Sequence, residues 1–509
     1  MMGGGRVAQL FLSSADKRRM IAVSVVACAT ILTFFPILGH LYIELDDPVF
    51  ITENLHIRNG VSIDFIRWAF TTTNYEGNWI PLTWIAHALI VQLFGVNPAA
   101  HHGASLLLHT LNGIFLFLLL ERMTGSAAKS LVVALLFAIH PLHVQSVAWG
   151  AELKDLLSTF FMFCAIAAYI HYRQTPSPIR YGMLILAHLA GVCSKSMVVT
   201  LPVLLLLFDW WPLRCTGLIP LRIRLLEKTP LILLSLGAGI MTLVGHRSIG
   251  AIVEEHSLPE RFARSVIAYG QYLGKLVYPA DIAVFYPFDP DPPSILLFMG
   301  ALILIVGLSI FVFSARDGKP YLVTGWLWYL VSLAPVIGII QIGDHSIADR
   351  YTYIPSIGFF VMIVWWGADL AASSGKLPVM VAIITLVLLG GVTVREVSYW
   401  KDSLTLFDRA LTVTGQRNWL VQNNYGELLL KRGDVDGALE RFRLAVDAKP
   451  DAVIPLVNYA AMLALKGRFA ESHHMVSRAL RLDPLNQKAL TLASQLPPEV
   501  SAPSHPKAP

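Results

Sequence analysis

The sequence predicts an all-α, polytopic membrane protein that ends in a soluble helical repeat. Of the 509 residues, 55% are hydrophobic and 14% are charged, and the mean hydropathy is +0.60. Long apolar runs recur along the chain, and a run of about 20 residues is enough for a helix to cross the hydrocarbon core of a bilayer. This composition excludes a soluble globule. The net charge of +5 comes from short basic clusters between apolar runs, so nucleic acid is not an expected partner.

Basic clusters in alternate loops predict which side of the membrane each loop faces. Clusters such as residues 17–19 and 214–228 are expected in the cytoplasm. The apolar run after the first cluster has full span length and no small-x-small cleavage site, so we expect an uncleaved helix. About eleven spans result, with a cytoplasmic N-terminus and the C-terminal repeats outside the cytoplasmic membrane. The predicted spans are residues 21–39, 101–120, 129–147, 155–172, 181–193, 197–212, 229–246, 293–314, 322–340, 351–370 and 377–395.

One further apolar run, residues 262–278, does not fit this alternation. Arg264, Gln271 and Lys275 interrupt it, and counting it as a span would invert every later basic loop. We expect it to lie on the outer leaflet as an amphipathic helix. The four cysteines lie within or near apolar runs or beside an arginine-rich loop, so no disulfide is expected.

The segment after the last span carries an internal repeat. Asn424, Tyr425, Gly433 and Pro450 are matched 34 residues later by Asn458, Tyr459, Gly467 and Pro484. This period and its small residues are typical of tetratricopeptide repeats, in which paired helices approach closely. About two repeats cannot bury a core alone, so we expect them to pack against the membrane domain. The predicted domains are a transmembrane domain over 1–398, with a first outer loop over 40–100, a repeat domain over 399–496 and a disordered tail over 497–509.

A carboxylate pair, Asp46-Asp47, lies just after the first span. Carboxylates at that depth suit an enzyme that works on a substrate at the bilayer surface. Lys195 lies between two short apolar runs, where a lysine is costly unless it has a partner. Structural interpretations of these residues stay open. The Asp-Asp-Pro string is also typical of a turn or a helix N-cap. Arg350 beside Asp349 is also typical of an ion pair at the end of a span.

Several strings on the predicted outer face carry a family resemblance. They are DDP at 46–48, NWIPLTW at 78–84, HPLHVQSVAW at 140–149, SK at 194–195 and ADRYTYIP at 348–355. Together they resemble the bacterial relatives of the TMTC (transmembrane and tetratricopeptide repeat-containing) proteins over nearly the whole chain. Those proteins are similar to C-type (GT-C) glycosyltransferases, multi-span enzymes that move a sugar from a polyprenyl-phosphate carrier to an acceptor at the extracytoplasmic face. The resemblance implies a GT-C-like membrane bundle, the same reaction and a protein acceptor that the repeats help to present, with O-mannosylation as an analogy.

The resemblance also implies roles for individual residues. Asp46 is the expected catalytic base, with Asp47 as its partner or as a metal ligand. Cations are needed where the lipid phosphate leaves, and the candidates are Arg350, Lys195 and Lys154. The pair Asp46 and Asp47 could hold Mg²⁺ or Mn²⁺, although such enzymes often work without a metal, so the metal is left unknown. The other site candidates are His140, His143, Glu152, Asp155, Asp349, Tyr351 and Trp79.

Departures from the family pattern and rival interpretations remain. Gln145 stands where the family has an acid, Leu153 replaces an arginine, and Ser196 follows Lys195 where a proline or glutamate is expected. The histidines form no tight zinc motif, and the tryptophans are as typical of an interface belt as of a sugar platform. Competing functions are transfer to a lipid or envelope glycan and a non-enzymatic membrane scaffold. A transporter ranks last, since no matched pair of broken spans is present.

Overall fold

The computed structural model describes residues 14–498, apart from 74, 216, 253–256, 289–290 and 372–376. Every regular element longer than an isolated bridge within those ranges is a helix. From residue 499 on, the predicted tail lies outside the described residues. The helices of the first part are α1 (Ser14–Phe34), α2 (Leu55–Arg58), α3 (Ile63–Thr71), α4 (Pro81–Phe94), α5 (Pro98–Thr124), α6 (Ala127–Ile139), α7 (Val144–Ala148), α8 (Leu153–Gln174) and α9 (Pro178–Ser194).

Local sequence signals account for many of these boundaries. Helix α5 begins where Asn97 accepts a hydrogen bond from the Ala99 amide and Pro98 occupies the first turn. It ends at Gly125, whose φ of 69° suits a residue without a side chain. The helices that follow are α10 (Leu201–Trp210), α11 (Leu221–Leu226), α12 (Thr229–Ser248), α13 (Leu258–Val277), α14 (Ile295–Ser314), α15 (Pro320–Leu333), α16 (Pro355–Ala371) and α17 (Leu377–Tyr399).

The apolar helices are those of a multi-pass membrane protein. Within the described residues, six helical segments are long and apolar enough to cross a bilayer, and they contain α1, α5, α8, α12, α14 and α17. Helix α6 and the segment Pro141–Ala148, bent by 51° where they meet, make a seventh if they act as one span. The other four predicted spans coincide with α9, α10, α15 and α16, which have 10 to 17 residues. The count of eleven therefore stays a prediction, as does the position of α13 on the outer leaflet.

Helix α8 lies at the centre of the bundle. In the most apolar stretch of α8, 72% of the residues are buried. In the corresponding stretches of α14 and α17, which lie at the periphery, only 6% are buried. The C-terminal end of α8 is anchored by a buried ion network. Arg173 lies 3.3 Å from Asp209 and 2.7 Å from Glu227, and the fully buried Lys228 lies 2.7 Å from Asp209. The N-terminal end of α8, about 33 Å away for 22 helical residues, carries a second charged cluster.

After α17 the chain forms further helices in antiparallel pairs. The turns within the pairs contain Gly433 and Gly467, which occupy equivalent positions of the predicted repeat and both have the positive φ that it requires. A Cβ on Gly426 would lie 2.7 Å from the ring of Phe442, so the first pair packs at very close range. These helices are α18 (Ser403–Thr414), α19 (Trp419–Lys431), α20 (Val435–Ala448), α21 (Val453–Leu465), α22 (Phe469–Leu482) and α23 (Gln487–Gln495).

Packing divides the C-terminal helices into two groups. Phe407 of α18 and Val421 of α19 belong to the same hydrophobic core as the membrane helices. Helices α20 to α22, by contrast, bury Phe442, Leu456 and Ala479 in a core of their own. The main hydrophobic core therefore extends into α18 and α19, and the start of the repeat domain at 399 stays a prediction.

Replacing Gly325 by alanine is expected to lower the thermal unfolding temperature of the purified protein. The new methyl group would overlap the carbonyl oxygen of Gly358, so α15 and α16 must move apart, at a cost of about 1–3 kcal/mol. Gly307→Ala on α14 is the matched control, because its methyl group meets nothing within 4 Å. Equal unfolding temperatures for the two variants would contradict a close α15–α16 contact.

Candidate functional site

A cavity of about 460 Å³ lies at the N-terminal end of α8. Its walls come from residues 46–80, the start of α8, the junction of α9 and α10, helix α12 and the segment before α16. Three carboxylates and three lysine or arginine cations line it, although they come from widely separated parts of the sequence. They are Asp46, Glu76, Glu152, Lys154, Lys195 and Arg350.

Glu152 is the centre of the charged cluster. Its carboxylate oxygens lie 3.1 Å from Lys154 Nζ, 3.3 Å from Lys195 Nζ and 3.2 Å from Arg350 Nε. The Glu152 side chain is 1% exposed, so these contacts are shielded from water and are stronger than surface ion pairs. One carboxylate thus gathers all three cations that the sequence assigns to phosphate binding.

Lys195, which the sequence places at membrane depth, has the partners that a lysine needs there. Besides Glu152, its ammonium group contacts Asp155, whose second oxygen accepts a hydrogen bond of 3.0 Å from Ser146 Oγ. The 3₁₀ turn Ser196–Thr200 follows Lys195 directly and breaks the helix between α9 and α10. That break turns the lysine towards α8, so its cost is offset by two carboxylates.

Arg350 is fixed through its own backbone. Its amide donates a hydrogen bond of 3.0 Å to Gln145 Oε1, and Gln145 Nε2 donates one of 3.0 Å to the Val284 carbonyl. The guanidinium lies 5.6 Å from the ring centre of Trp149 and 5.1 Å from that of Tyr351. Gln145, which departs from the family pattern, is therefore the residue that positions this arginine.

The two aspartates of the pair point to different places. Asp47 is fully buried, and its oxygens accept hydrogen bonds of 2.8 Å from the Ile43 amide and 2.7 Å from the Ala151 amide. This carboxylate joins the first loop to the segment that carries Glu152, and Asp47 does not line the cavity. Asp46 is half-buried and does line it. Among the described residues, no group hydrogen-bonds to the Asp46 carboxylate.

The charge state of Asp46 is set by opposing effects. Burial raises its pKa above the ordinary 3.8, Lys154 and Arg350 oppose the shift, and the negative charge of Glu152 adds to it. A carboxylate of raised pKa is, once ionised, a stronger base than an ordinary one.

The remaining predicted site residues divide into those inside and those outside the cavity. Tyr351 and Trp79 line it. His140 and His143 are fully buried elsewhere and hydrogen-bond to the carbonyls of Leu276 and Phe137. Asp349 is also fully buried, 3.5 Å from Lys275, and accepts a hydrogen bond from the Tyr286 hydroxyl. These three therefore support the walls.

Asp46 and Asp47, at which the sequence leaves a metal unknown, offer an unsuitable set of donors. Among the described residues, no three His, Cys, Asp or Glu side chains lie together as metal ligands. Both oxygens of Asp47 already accept backbone hydrogen bonds, so the pair does not present two carboxylates to one ion. The residues present do not fit Mg²⁺ or Mn²⁺, and we derive no step through a metal.

Glu76, His246 and His345 line the cavity and were missed in the sequence. Gln145, noted there only as a departure from the family pattern, braces the Arg350 amide. Burial, aided by Arg350, lowers the pKa of His345 to about 3, and its neutral ring is 3.1 Å from the Tyr351 hydroxyl. The sequence does signal Glu76, which precedes a glycine directly before the NWIPLTW string, but nothing there separates it from other loop glutamates.

The C-terminal helices contact the loops that carry the cavity residues. Lys431 of α19 lies 2.6 Å from Glu44 and 3.5 Å from Glu53, on either side of Asp46 in the chain. The Glu44 amide donates a hydrogen bond of 2.9 Å to Ser403 Oγ at the start of α18. Buried Asn418 donates one of 3.1 Å to the Phe285 carbonyl, beside the tyrosine that holds Asp349. The first two C-terminal helices thus support both sides of the cavity.

Similarity to known proteins extends over most of the chain. It is 22% identical over 462 residues to Protein O-mannosyl-transferase TMTC3 of Mus musculus, covering 82% of this chain and 50% of that protein. Protein O-mannosyl-transferase F38B6.6 of Caenorhabditis elegans is 22% identical over 406 residues, covering 76% and 56%. Protein O-mannosyl-transferase TMTC1 of Homo sapiens is 22% identical over 482 residues, covering 82% and 54%.

These relatives are longer proteins, and the chain spans about half the length of the curated relatives it matches. No protein-family model matches the chain. The similarity nevertheless runs through the membrane helices and is not confined to the repeats, because it covers 76% or more of the chain in all three. It supports the TMTC-like relationship that the sequence motifs predict.

Asp47→Asn is expected to lower the thermal unfolding temperature, whereas Asp46→Asn is not. An amide at position 47 presents an NH₂ group to one of the two backbone N–H donors, which costs about 1–3 kcal/mol. Thermal unfolding of the two purified variants beside the unmodified protein measures the difference. If Asp46→Asn is destabilised as much as Asp47→Asn, the assignment of the structural role to Asp47 and not to Asp46 is wrong.

Proposed function

We propose that this protein is a membrane glycosyltransferase that moves a hexose from a polyprenyl-phosphate carrier to a protein acceptor outside the cytoplasmic membrane. The observation that carries the proposal is the cavity in which Asp46, with no hydrogen-bond partner among the described residues, faces three cations gathered on one buried carboxylate. The similarity to proteins named O-mannosyl-transferases points to the same chemistry.

The finer architecture belongs to the same proposal. About eleven spans form a GT-C-like bundle with a cytoplasmic N-terminus, and the first loop and the C-terminal helices lie outside. The C-terminal pairs α19–α20 and α21–α22 are tetratricopeptide repeats, whose 34-residue period and small-residue contacts support the assignment. The membrane is the cytoplasmic membrane of a bacterial cell.

The cations of the cluster bind the phosphate of the donor. In the absence of the sugar donor, Glu152 is the partner of Lys154, Lys195 and Arg350. When the donor binds, an oxygen of its phosphate enters the same cavity and contacts these cations as well. Their charge stabilises the leaving group as the bond between the anomeric carbon and the phosphate oxygen breaks. The electron pair of that bond goes to the phosphate.

Asp46 acts on the acceptor. Its carboxylate takes the proton of the acceptor hydroxyl while the hydroxyl oxygen forms the new bond to the anomeric carbon. Attack comes from the face opposite the phosphate, so the configuration at the anomeric carbon inverts. Holding acceptor and donor in one cavity supplies much of the rate enhancement through orientation.

The apolar wall of the cavity suits the hydrocarbon chain of the donor. Gly239 and Leu243 of α12 line it on one side, and Val336 and Ile340 line it on the other. Leu243 and Ile340 are 37% and 46% exposed, so this apolar wall is accessible from outside the packed core. A polyprenyl chain can therefore pass from the bilayer into the cavity between α12 and the segment after α15.

That apolar wall also favours a second candidate, transfer to a lipid or an envelope glycan, because a lipid acceptor can enter by the same path. Removing everything after α17 cannot separate the two candidates. Helices α18 and α19 share the main core and contact Glu44, so that deletion would disturb Asp46 whatever the acceptor is.

Asp46→Asn is expected to lower sugar transfer by about 10²- to 10⁴-fold at unchanged expression. Transfer from a mixed extract of polyprenyl-phosphate sugars into protein and lipid fractions is the measurement. In the unmodified protein, transfer should rise with pH through a pKa above 3.8, because the base must be ionised and its pKa is raised by burial. Asp64→Asn, on exposed α3 of the same loop, should keep full activity. Full activity in Asp46→Asn would show that Asp46 is not the base, whereas inactivity of the unmodified protein would favour the scaffold.

Removal of residues 451–509 is expected to abolish transfer to protein while leaving slow transfer to water. This truncation deletes α21 to α23 but keeps α18 and α19 and their contacts with the cavity loops. Release of free sugar from the donor reports the intact site, and sugar incorporated into protein reports acceptor binding. If transfer to lipid continues at the original rate, the acceptor is a lipid.

A further inference from the structure

The first loop places a second carboxylate in the cavity. Glu76 has a φ of 51°, a left-handed conformation that residues with a side chain rarely adopt, and Gly77 follows with a φ of 66°. A glycine at position 76 would adopt this turn without strain. The chain instead carries a glutamate there, and its side chain lines the cavity. Strained backbone of this kind concentrates at functional sites.

The turn is held in place by direct backbone packing against α12. A Cβ on Gly245 would lie 2.5 Å from the Thr73 carbonyl oxygen and 2.6 Å from that of Gly77. A Cβ on Gly77 would lie 2.8 Å from His246 Nδ1. The two glycines therefore lock the loop backbone onto the helix, which fixes the Glu76 backbone beside the cavity.

Two neighbours of Glu76 add a polar side chain, Asn78, and a flat apolar ring, Trp79, to the cavity wall. Asn78 Nδ2 donates a hydrogen bond of 2.7 Å to the Glu76 carbonyl, and Trp79 Nε1 donates one of 3.0 Å to the Phe70 carbonyl. The indole is thereby fixed, with its N–H group already used. His246 also lines the cavity, and its Nδ1 is buried with no partner among the described residues.

We propose that Glu76, Asn78 and Trp79 form the subsite for the hexose ring of the donor. The proposal rests on the function above, since it identifies the sugar end of the same cavity. A carboxylate can accept hydrogen bonds from two neighbouring hydroxyls of a hexose, and the indole face packs against its C–H groups. The anomeric carbon then lies between this subsite and the cation cluster.

The position of Glu76 relative to Asp46 supports this arrangement. Asp46 and Glu76 line the same cavity, and burial together with the negative charge of Asp46 raises the pKa of Glu76. A sugar ring held by Glu76 is therefore within reach of the base that acts on the acceptor.

Binding measurements test the subsite without requiring turnover. The probes are a short-chain polyprenyl phosphate and its mannosyl, glucosyl and galactosyl derivatives, each bound to the full-length protein in nanodiscs. The quantity of interest is the gain in affinity that the sugar adds over the bare polyprenyl phosphate. We expect a gain for at least one hexose, and a reduction of that gain by about tenfold or more in Glu76→Gln, because hydrogen bonds to a charged group are lost.

Two further variants separate recognition from folding. Glu76→Gly removes the carboxylate and relieves the left-handed backbone, so it should lose the sugar gain while keeping or raising the unfolding temperature. Asp64→Asn should leave the gain unchanged, because Asp64 is exposed on α3 of the same loop. All three variants should bind the bare polyprenyl phosphate as the unmodified protein does.

Each outcome decides the question. Equal affinity of the unmodified protein for the bare and the sugar-linked probes overturns the subsite, and so does a sugar gain that survives Glu76→Gln. A sugar gain that depends on Glu76 without any transfer leaves the subsite in place and overturns the proposed enzyme. Failure to bind any of the four probes overturns both.

Discussion

The buried carboxylate of Glu152 is the constraint on which the site depends. Lys154, Lys195 and Arg350 come from three distant parts of the chain, and without an anion between them their charges would repel at close range. Their attraction to Glu152 brings the start of α8, the break after α9 and the segment before α16 to one point. Removing one partner of such a buried group costs about 3–5 kcal/mol, because the others are left uncompensated.

Asp47 extends this cluster to the first loop. By accepting the Ala151 amide it ties the loop to the residue next to Glu152, and this brings Asp46 to the cavity. Gly150 makes the approach possible, since a Cβ there would already lie 3.2 Å from Asp47 Oδ1. From outside, Lys431 and Ser403 hold Glu44 on the same loop. The loop is therefore fixed at both of its faces, which an enzyme needs if a base is to stay within reach of its substrate.

The sequence predicted which charged residues lie at the site better than it predicted the separate role of each one. A lysine at membrane depth requires a partner, so Lys195 was expected to be paired, and it contacts Glu152 and Asp155. Which aspartate of the pair faces the cavity depends on an amide 104 residues away, and no local pattern contains that information. The role of Glu76 depends on a backbone angle and on Gly245 in a remote helix. The number of spans stays open for a related reason, because short helices such as α10 owe their length to the packing around them.

The charged cluster at the C-terminal end of α8 is a buried ion network, whereas the one at the N-terminal end lines a cavity, and this difference suits the proposed chemistry. Arg173 and Lys228 face Asp209 and Glu227, two cations against two carboxylates. At the cavity, Lys154, Lys195 and Arg350 face Glu152, Lys195 also contacts Asp155, and the carboxylates of Asp46 and Glu76 line the same cavity. When Asp46 takes a proton from the acceptor it loses one negative charge, while the phosphate gains one as its bond to the sugar breaks. The total charge inside the cavity is therefore the same before and after transfer. A reaction that conserves the charge of a poorly solvated cavity avoids the large penalty for creating a new charge there, and the three cations on Glu152 stabilise the charge that develops on the departing phosphate.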